Sequence, residues 1–165
     1  MRSSVDVHNF LLERDIPHEV TSTRGRLRSA EQMAAVLDLS PSEVGRVVIL
    51  ESSEGAMAAV LASDRSLDSS KVARAAGRPT VRVVSDHRAT DITEFLTEAI
   101  PPVGLPEGIP LIVDRPLHRD TVLYFPGGDV RAVLKIRGKD LVKATRAKVA
   151  AISGPPERSR RPRHR

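Results

Sequence analysis

Residues 46–62 read RVVILESSEGAMAAVLA. Two apolar runs, 46–51 and 56–62, flank the polar stretch Ser52-Ser53-Glu54-Gly55. Short apolar runs bounded by turn residues are the mark of strands, so this stretch predicts an antiparallel hairpin with a four-residue turn. Upstream of it, residues 4–15 carry Val7, Phe10 and Leu11 at helical spacing, and Pro17 then imposes extended backbone leading into a strand at 18–21. Residues 22–28 are polar and predict a loop. Ser29 followed by Gln32 is a helix-capping pair, and Ser40-Pro41-Ser42-Glu43 repeats the pattern with proline in the first helical position. Two short helices therefore precede the hairpin.

Downstream, Asp68 or Ser69 caps a helix that runs through Ala76 and stops at Gly77. A strand at 80–84 and a helix at 89–97 follow. Residues 100–110, IPPVGLPEGIP, hold four prolines and two glycines, which rules out helix and central strand and leaves a rigid loop. Strands are predicted at 111–114, 121–125 and 132–136, with Pro126-Gly127-Gly128-Asp129 between the last two, and a helix at 140–152 closes the chain. Grouped strands with helices between the groups give an α+β domain with a mixed, largely antiparallel sheet.

A chain of 165 residues suits one domain with a real core, and its 40% apolar and 28% charged residues are those of an ordinary globular protein. No apolar run approaches the ~18 residues of a membrane helix, and charges interrupt residues 1–15, so neither a membrane span nor a signal peptide is predicted. The expectation is a soluble cytoplasmic protein with no membrane partner. The absence of cysteine excludes disulfides, thiolate metal sites and a cysteine nucleophile. With Phe10, Phe95, Tyr124 and Phe125 as the whole aromatic complement, a single-strand binder built on stacked rings is disfavoured.

The net charge of +5 is uneven: residues 154–165 hold five arginines against Glu157, a net of +4, leaving +1 for residues 1–153. The expected organisation is a folded domain over 1–153 and a disordered basic tail over 154–165, because the tail has nothing apolar to bury. Such a tail can contact RNA phosphates nonspecifically or merely solubilise the chain. His8, His18, His87, His118 and His164 lack metal-ligand spacing, so no metal site is expected. No serine sits in a G-x-S-x-G elbow, and Gly138-Lys139 fails as a phosphate loop because Asp140 follows it.

The order of segments resembles the YbaK/ProX family of trans-editing aminoacyl-tRNA deacylases, which includes the editing domain inserted in bacterial prolyl-tRNA synthetases. The resemblance spans roughly residues 5–150. It rests on LLERDIPHEV (11–20), SAEQMAAVLDLSPSEVGRVVIL (29–50), ASDRSLDSSKVARAAG (62–77), TVRVVSD (80–86), IPPVGLP (100–106), IPLIVD (109–114), LYFPGG (123–128) and KIRGKDLVKAT (135–145), in that order. It implies a curved mixed sheet surrounded by helices. It also implies hydrolysis of the ester between a mischarged small amino acid and the 3′ end of tRNA, without metal or cofactor. The partners it implies are the aminoacyl-tRNA 3′ end and, secondarily, an aminoacyl-tRNA synthetase.

The resemblance places Arg46 at the family's lysine, the catalytic position. An arginine there can hold a phosphate or an oxyanion, but a guanidinium stays charged and cannot act as a base. The family's G-x-x-x-P loop, which lines the amino-acid pocket, falls on residues 98–104. Ile100, Pro101, Pro102 and Gly104 are thereby implied in substrate binding, while Glu98 and Ala99 stand at the family's glycines. A side chain at a position where glycine permits close approach narrows the pocket. Asp114 matches a strand-end aspartate, and Gly127 and Gly128 match a late glycine turn. These residues also have plainer readings: Arg46 as an exposed strand-start charge, Asp114 as a turn cap, the glycines as turn geometry. Two other readings of the chain remain open, a binding module that kept the fold without catalysis and a nonspecific RNA binder driven by the tail.

Overall fold

The computed structural model describes residues 1–156. Helix α1 (Ser4–Glu13) begins in a capping box, with the Ser3 side chain accepting from the backbone and Asp6 reaching back to the Ser3 N–H at 2.7 Å. Strand β1 (Glu19–Ser22) follows, then α2 (Ala30–Val36), capped by the Ser29 hydroxyl at the Gln32 N–H, 3.0 Å away. Pro41–Glu43 forms a single 3₁₀ turn where the sequence predicted a second short helix.

The hairpin is β2 (Gly45–Ser52) and β3 (Gly55–Ala62), in register from Gly45 opposite Ala62 to Ser52 opposite Gly55. The turn is therefore the two residues Ser53-Glu54. Ser52 and Gly55, predicted as turn, extend the ladder by one pair. After the short β4 (Ser66–Leu67), α3 (Ser69–Ala76) runs from the Asp68 cap to Gly77 in the left-handed region, as its sequence predicted. Strand β5 is only Arg82–Val83, both exposed, and α4 (Asp86–Thr93) starts three residues earlier than predicted because Ser85 supplies its cap.

Strands β6 (Leu111–Asp114), β7 (Val122–Pro126) and β8 (Ala132–Arg137) follow, then α5 (Gly138–Thr145). The long C-terminal helix predicted from the sequence is wrong beyond Thr145. Arg146 turns left-handed with φ 54°, and the chain then forms β9 (Lys148–Ala150) and β10 (Ser153–Gly154). Strand β9 pairs parallel to β6, and β10 pairs antiparallel to β4, so Gly154 belongs to a strand although the predicted tail begins there. Most of that predicted tail, 157–165, lies outside the described residues.

The five-stranded sheet has the order β5-β2-β3-β6-β9, antiparallel on its β5 side and parallel where β6 joins β3 and β9; a second, antiparallel sheet has the order β1-β8-β7. This is the mixed α+β architecture expected. Alternation along β2 divides the core. Val47 and Ile49 pack with Phe95, Ile100, Val103 and Phe125, while Val48 and Leu50 pack with Met57, Val72 and Ile152. Gly45 is required by close approach, because a Cβ there would overlap the Phe125 ring. Among the described residues no helix is long and apolar enough to cross a membrane.

Candidate active site

A cavity of about 290 Å³ opens at the start of β2. Arg46 and Val47 form its floor, residues 28–31 at the start of α2 one wall, and Asp86, Thr97, Glu98 and Ile100 the other, with Pro126 closing one side. Five separate segments meet there. Strand β2 supplies a rigid floor, and the Ser29 cap fixes the near wall, so the cavity's shape follows from secondary structure.

Arg46 stands at the strand start, half-buried, and its Nη2 donates to the Arg65 carbonyl at 3.0 Å. Its Nε lies buried with no hydrogen-bond partner, as does Asp64 Oδ1 in the neighbouring turn. Buried N–H donors are nearly always paired, so the Arg46 Nε is an exception within the protein. From Arg65 a polar chain continues inward: Arg65 Nε donates to Ser153 Oγ (3.1 Å), and Ser153 Oγ donates to Asp114 Oδ2 (2.5 Å). Asp114, 1% exposed, also accepts from the Ile152 N–H at 3.0 Å. The carboxylate thus fixes the C-terminal strands and reaches Arg46 only through this chain.

The remaining predicted site residues divide. Ile100 lines the Arg46 cavity. Pro101 is buried and lines neither this cavity nor the next. Pro102 and Gly104 line a different groove of about 370 Å³, with Phe10, Arg14, Ile109 and Arg146. The resemblance implies Pro101, Pro102 and Gly104 in substrate binding with Arg46, yet none of them lines the cavity that Arg46 lines. Val47 packs with Ile100 and Val103, and of the loop residues 100–104 only Ile100 lines the cavity that Arg46 lines. Gly127 and Gly128 sit beside it, next to Pro126. A Cβ on Gly127 would press on Ala132, and Gly128 has φ 99° with its N–H donating to the Ala99 carbonyl at 3.0 Å.

Glu98 lines the cavity, but its carboxylate is ion-paired with Arg26 from the opposite wall. Sequence reasoning misses Arg26 and Arg28, because they fall in a stretch that reads only as a polar loop. The alternation Arg24-Gly25-Arg26-Leu27-Arg28 is the available signal. His8 Nδ1 and His18 Nε2, ten residues apart, approach to 2.9 Å. Among the described residues no group of three or more His, Asp or Glu side chains could hold a metal ion.

The model of the aminoacyl-tRNA editing domain matches residues 25–144, which span both walls and the floor of this cavity. The chain belongs to the aminoacyl-tRNA editing domain family. Deacylation, the hydrolysis of an aminoacyl ester, is the chemistry of that family in general. The crystal structure of hypothetical protein APE2540 is similar over 90% of this chain and 99% of its own, at 30% identity and a TM-score of 0.85. A candidate trans-editing enzyme for prolyl tRNA synthetase shares the fold at 23% identity and a TM-score of 0.81, covering 92% of this chain and 96% of that one. A candidate signal transduction protein from Marinobacter aquaeolei VT8 carries the same fold in 30% of its length, at 18% identity and a TM-score of 0.65, covering 90% of this chain.

Proposed function

We propose that this chain is a trans-editing deacylase. In this reading it hydrolyses the ester joining a small amino acid to the 3′-terminal ribose of a mischarged tRNA, in the cavity above Arg46. The observation that carries it is that Arg46, at the start of β2, lines a cavity whose lining residues all fall inside the editing-domain match. Water adds to the ester carbonyl, the bond to the ribose oxygen breaks, and the products are the free amino acid and a tRNA with its terminal hydroxyl restored. Arg46 acts as a donor to the oxyanion that forms on the way, because its guanidinium keeps its protons and is already held in place by the Arg65 carbonyl. A fixed donor costs no reorganisation when charge develops. A volume near 290 Å³, walled by Ala30, Val47, Ile100 and Pro126, favours a small side chain, since the ribose must share the space. This reading puts the protein in the cytoplasm, alongside translation.

The test is hydrolysis of a panel of tRNAs charged with alanine, serine, cysteine or proline, each on a cognate and a non-cognate tRNA. The expected result is ester loss well above the spontaneous rate for at least one small amino acid on a non-cognate tRNA. Spontaneous rates throughout, from a folded protein, would overturn the reading. A second reading, a binding module without catalysis, is favoured by the Arg26–Glu98 pair, which ties the two walls together at the cavity's edge.

A further inference from the structure

We propose that residues 24–28 form a phosphate-binding element that receives the single-stranded 3′ end of tRNA at the mouth of the Arg46 cavity. This inference rests on the deacylase reading for the identity of its ligand. The loop is built to present cations. Leu27 is 4% exposed, and its N–H donates to the Val130 carbonyl at 2.6 Å. Upstream, the Thr23 N–H donates to the Arg131 carbonyl at 2.7 Å and the Thr23 hydroxyl to the Gly25 carbonyl at 2.7 Å. With Leu27 as an anchor, extended alternation turns Arg26 and Arg28 outward, and Arg24 and Arg131 are also exposed.

Their positions relative to the cavity give the cluster its meaning. Arg28 lines the cavity itself, and Arg26 reaches across to Glu98 on the opposite wall. Among the described residues, Arg24, Arg28 and Arg131 have no carboxylate within ion-pairing distance, although Glu31, Asp86 and Glu98 line the same cavity as Arg28. Such an arrangement suits a polyanion that brings its own negative charge. A terminal adenosine seated in the cavity must send its connecting phosphodiesters out through this mouth. Arginine's planar fork suits phosphate oxygens, and binding to phosphate fixes register without reading sequence. Glu98 occupies Arg26 in the absence of RNA, so a phosphate arriving there competes with the Glu98 carboxylate.

The experiment uses the full chain and an uncharged, fluorescently labelled RNA of about a dozen nucleotides ending in CCA, with anisotropy followed against salt concentration. Arg24→Ala/Arg28→Ala should weaken binding about tenfold at low salt and reduce the log–log salt slope by about 0.7 for each phosphate that the variant no longer neutralises. Glu98→Gln, which releases Arg26 and removes a negative charge from the mouth, should tighten binding severalfold. Replacing the five arginines between 158 and 165 by serine should leave the loop-dependent part of the slope in place. Unchanged affinity and slope in the loop variant would overturn the proposal, as would binding that disappears entirely with the tail arginines. Melting curves of the loop variant should match the parent, since the replaced side chains are exposed. RNA binding requires no hydrolysis, so failure of the deacylase reading appears in the charged-tRNA panel and failure of this inference appears here.

Discussion

The loop over residues 100–110 has a cavity on each side, and the two cavities differ in kind. On the Ile100 side the wall meets Arg46, Glu98, Asp86 and the start of α2, and Arg46, whose Nε is buried without a partner, is one of the lining residues. On the side of residues 102–109 the larger groove has Arg14 and Arg146 at its edges, with Arg14 stacked over the Phe10 ring at 3.6 Å and donating to the Phe10 carbonyl at 3.0 Å. Size favours the groove; unspent hydrogen-bonding capacity favours the cavity. Catalysis depends on donors preorganised toward developing charge, so the smaller space is the better candidate for chemistry.

Arg46→Ala provides the strongest way to break this contrast. Deacylation should fall by about 10²–10³-fold, the usual cost of losing one oxyanion donor, whereas Arg146→Ala in the groove should leave the rate within about twofold. Equal losses from both variants would erase the distinction between the two sides. A smaller effect is expected from Gly45→Ala. Its methyl group would displace Phe125, costing about 1–3 kcal/mol in thermal or denaturant unfolding and shifting Pro126 at the cavity wall. Loss of activity without loss of stability there would show that the strand start moves independently of the core.

How much of this is legible in the sequence depends on the range of the interactions. The β2–β3 hairpin and the caps at Ser29 and Asp68 are local devices, and each is readable from a few adjacent residues. Strand β9 is not, because Lys148-Val149-Ala150 is short and alanine-rich neighbours continue a helical pattern past Thr145. Its extended state is fixed by parallel pairing with β6, some 36 residues away at Ile112 and Lys148. The same limit applies to the site. Asp114 can be singled out, yet nothing nearby announces Ser153 as its partner or the link through Arg65 to Arg46. The prolines of the 100–110 loop attract attention for their rigidity, but Pro101 and Pro102 are spent on packing, while the cations of 24–28 carry no motif.

The smallest expected effect concerns the opposite end of β2. There Arg88 donates to Glu51 at 2.9 and 3.1 Å, and this hydrogen bonding, aided by the positive charge, holds the Glu51 carboxyl below the ordinary glutamate range despite a partial offset from desolvation. A carboxyl with a lowered folded-state pKa contributes stability above its unfolded pKa and loses that contribution as pH falls through the folded value. The parent should therefore melt slightly higher than Arg88→Gln near neutral pH, with the gap closing as the pH drops below the glutamate range. Arg88 is exposed and Glu51 half-buried, so the gap should be small, and deacylation should not change. A gap independent of pH would contradict the assignment of the lowered pKa to this pair.

The most direct test of the central claim is an NMR titration of the full chain with a non-hydrolysable amide analogue of 3′-aminoacyl adenosine carrying a small amino acid. The account predicts shifts at Arg28, Arg46, Val47, Glu98 and Ile100, including the Arg46 Nε–H resonance, with little change at Gly104, Ile109 or Arg146. Shifts confined to those last three residues, with Arg46 silent, would contradict it.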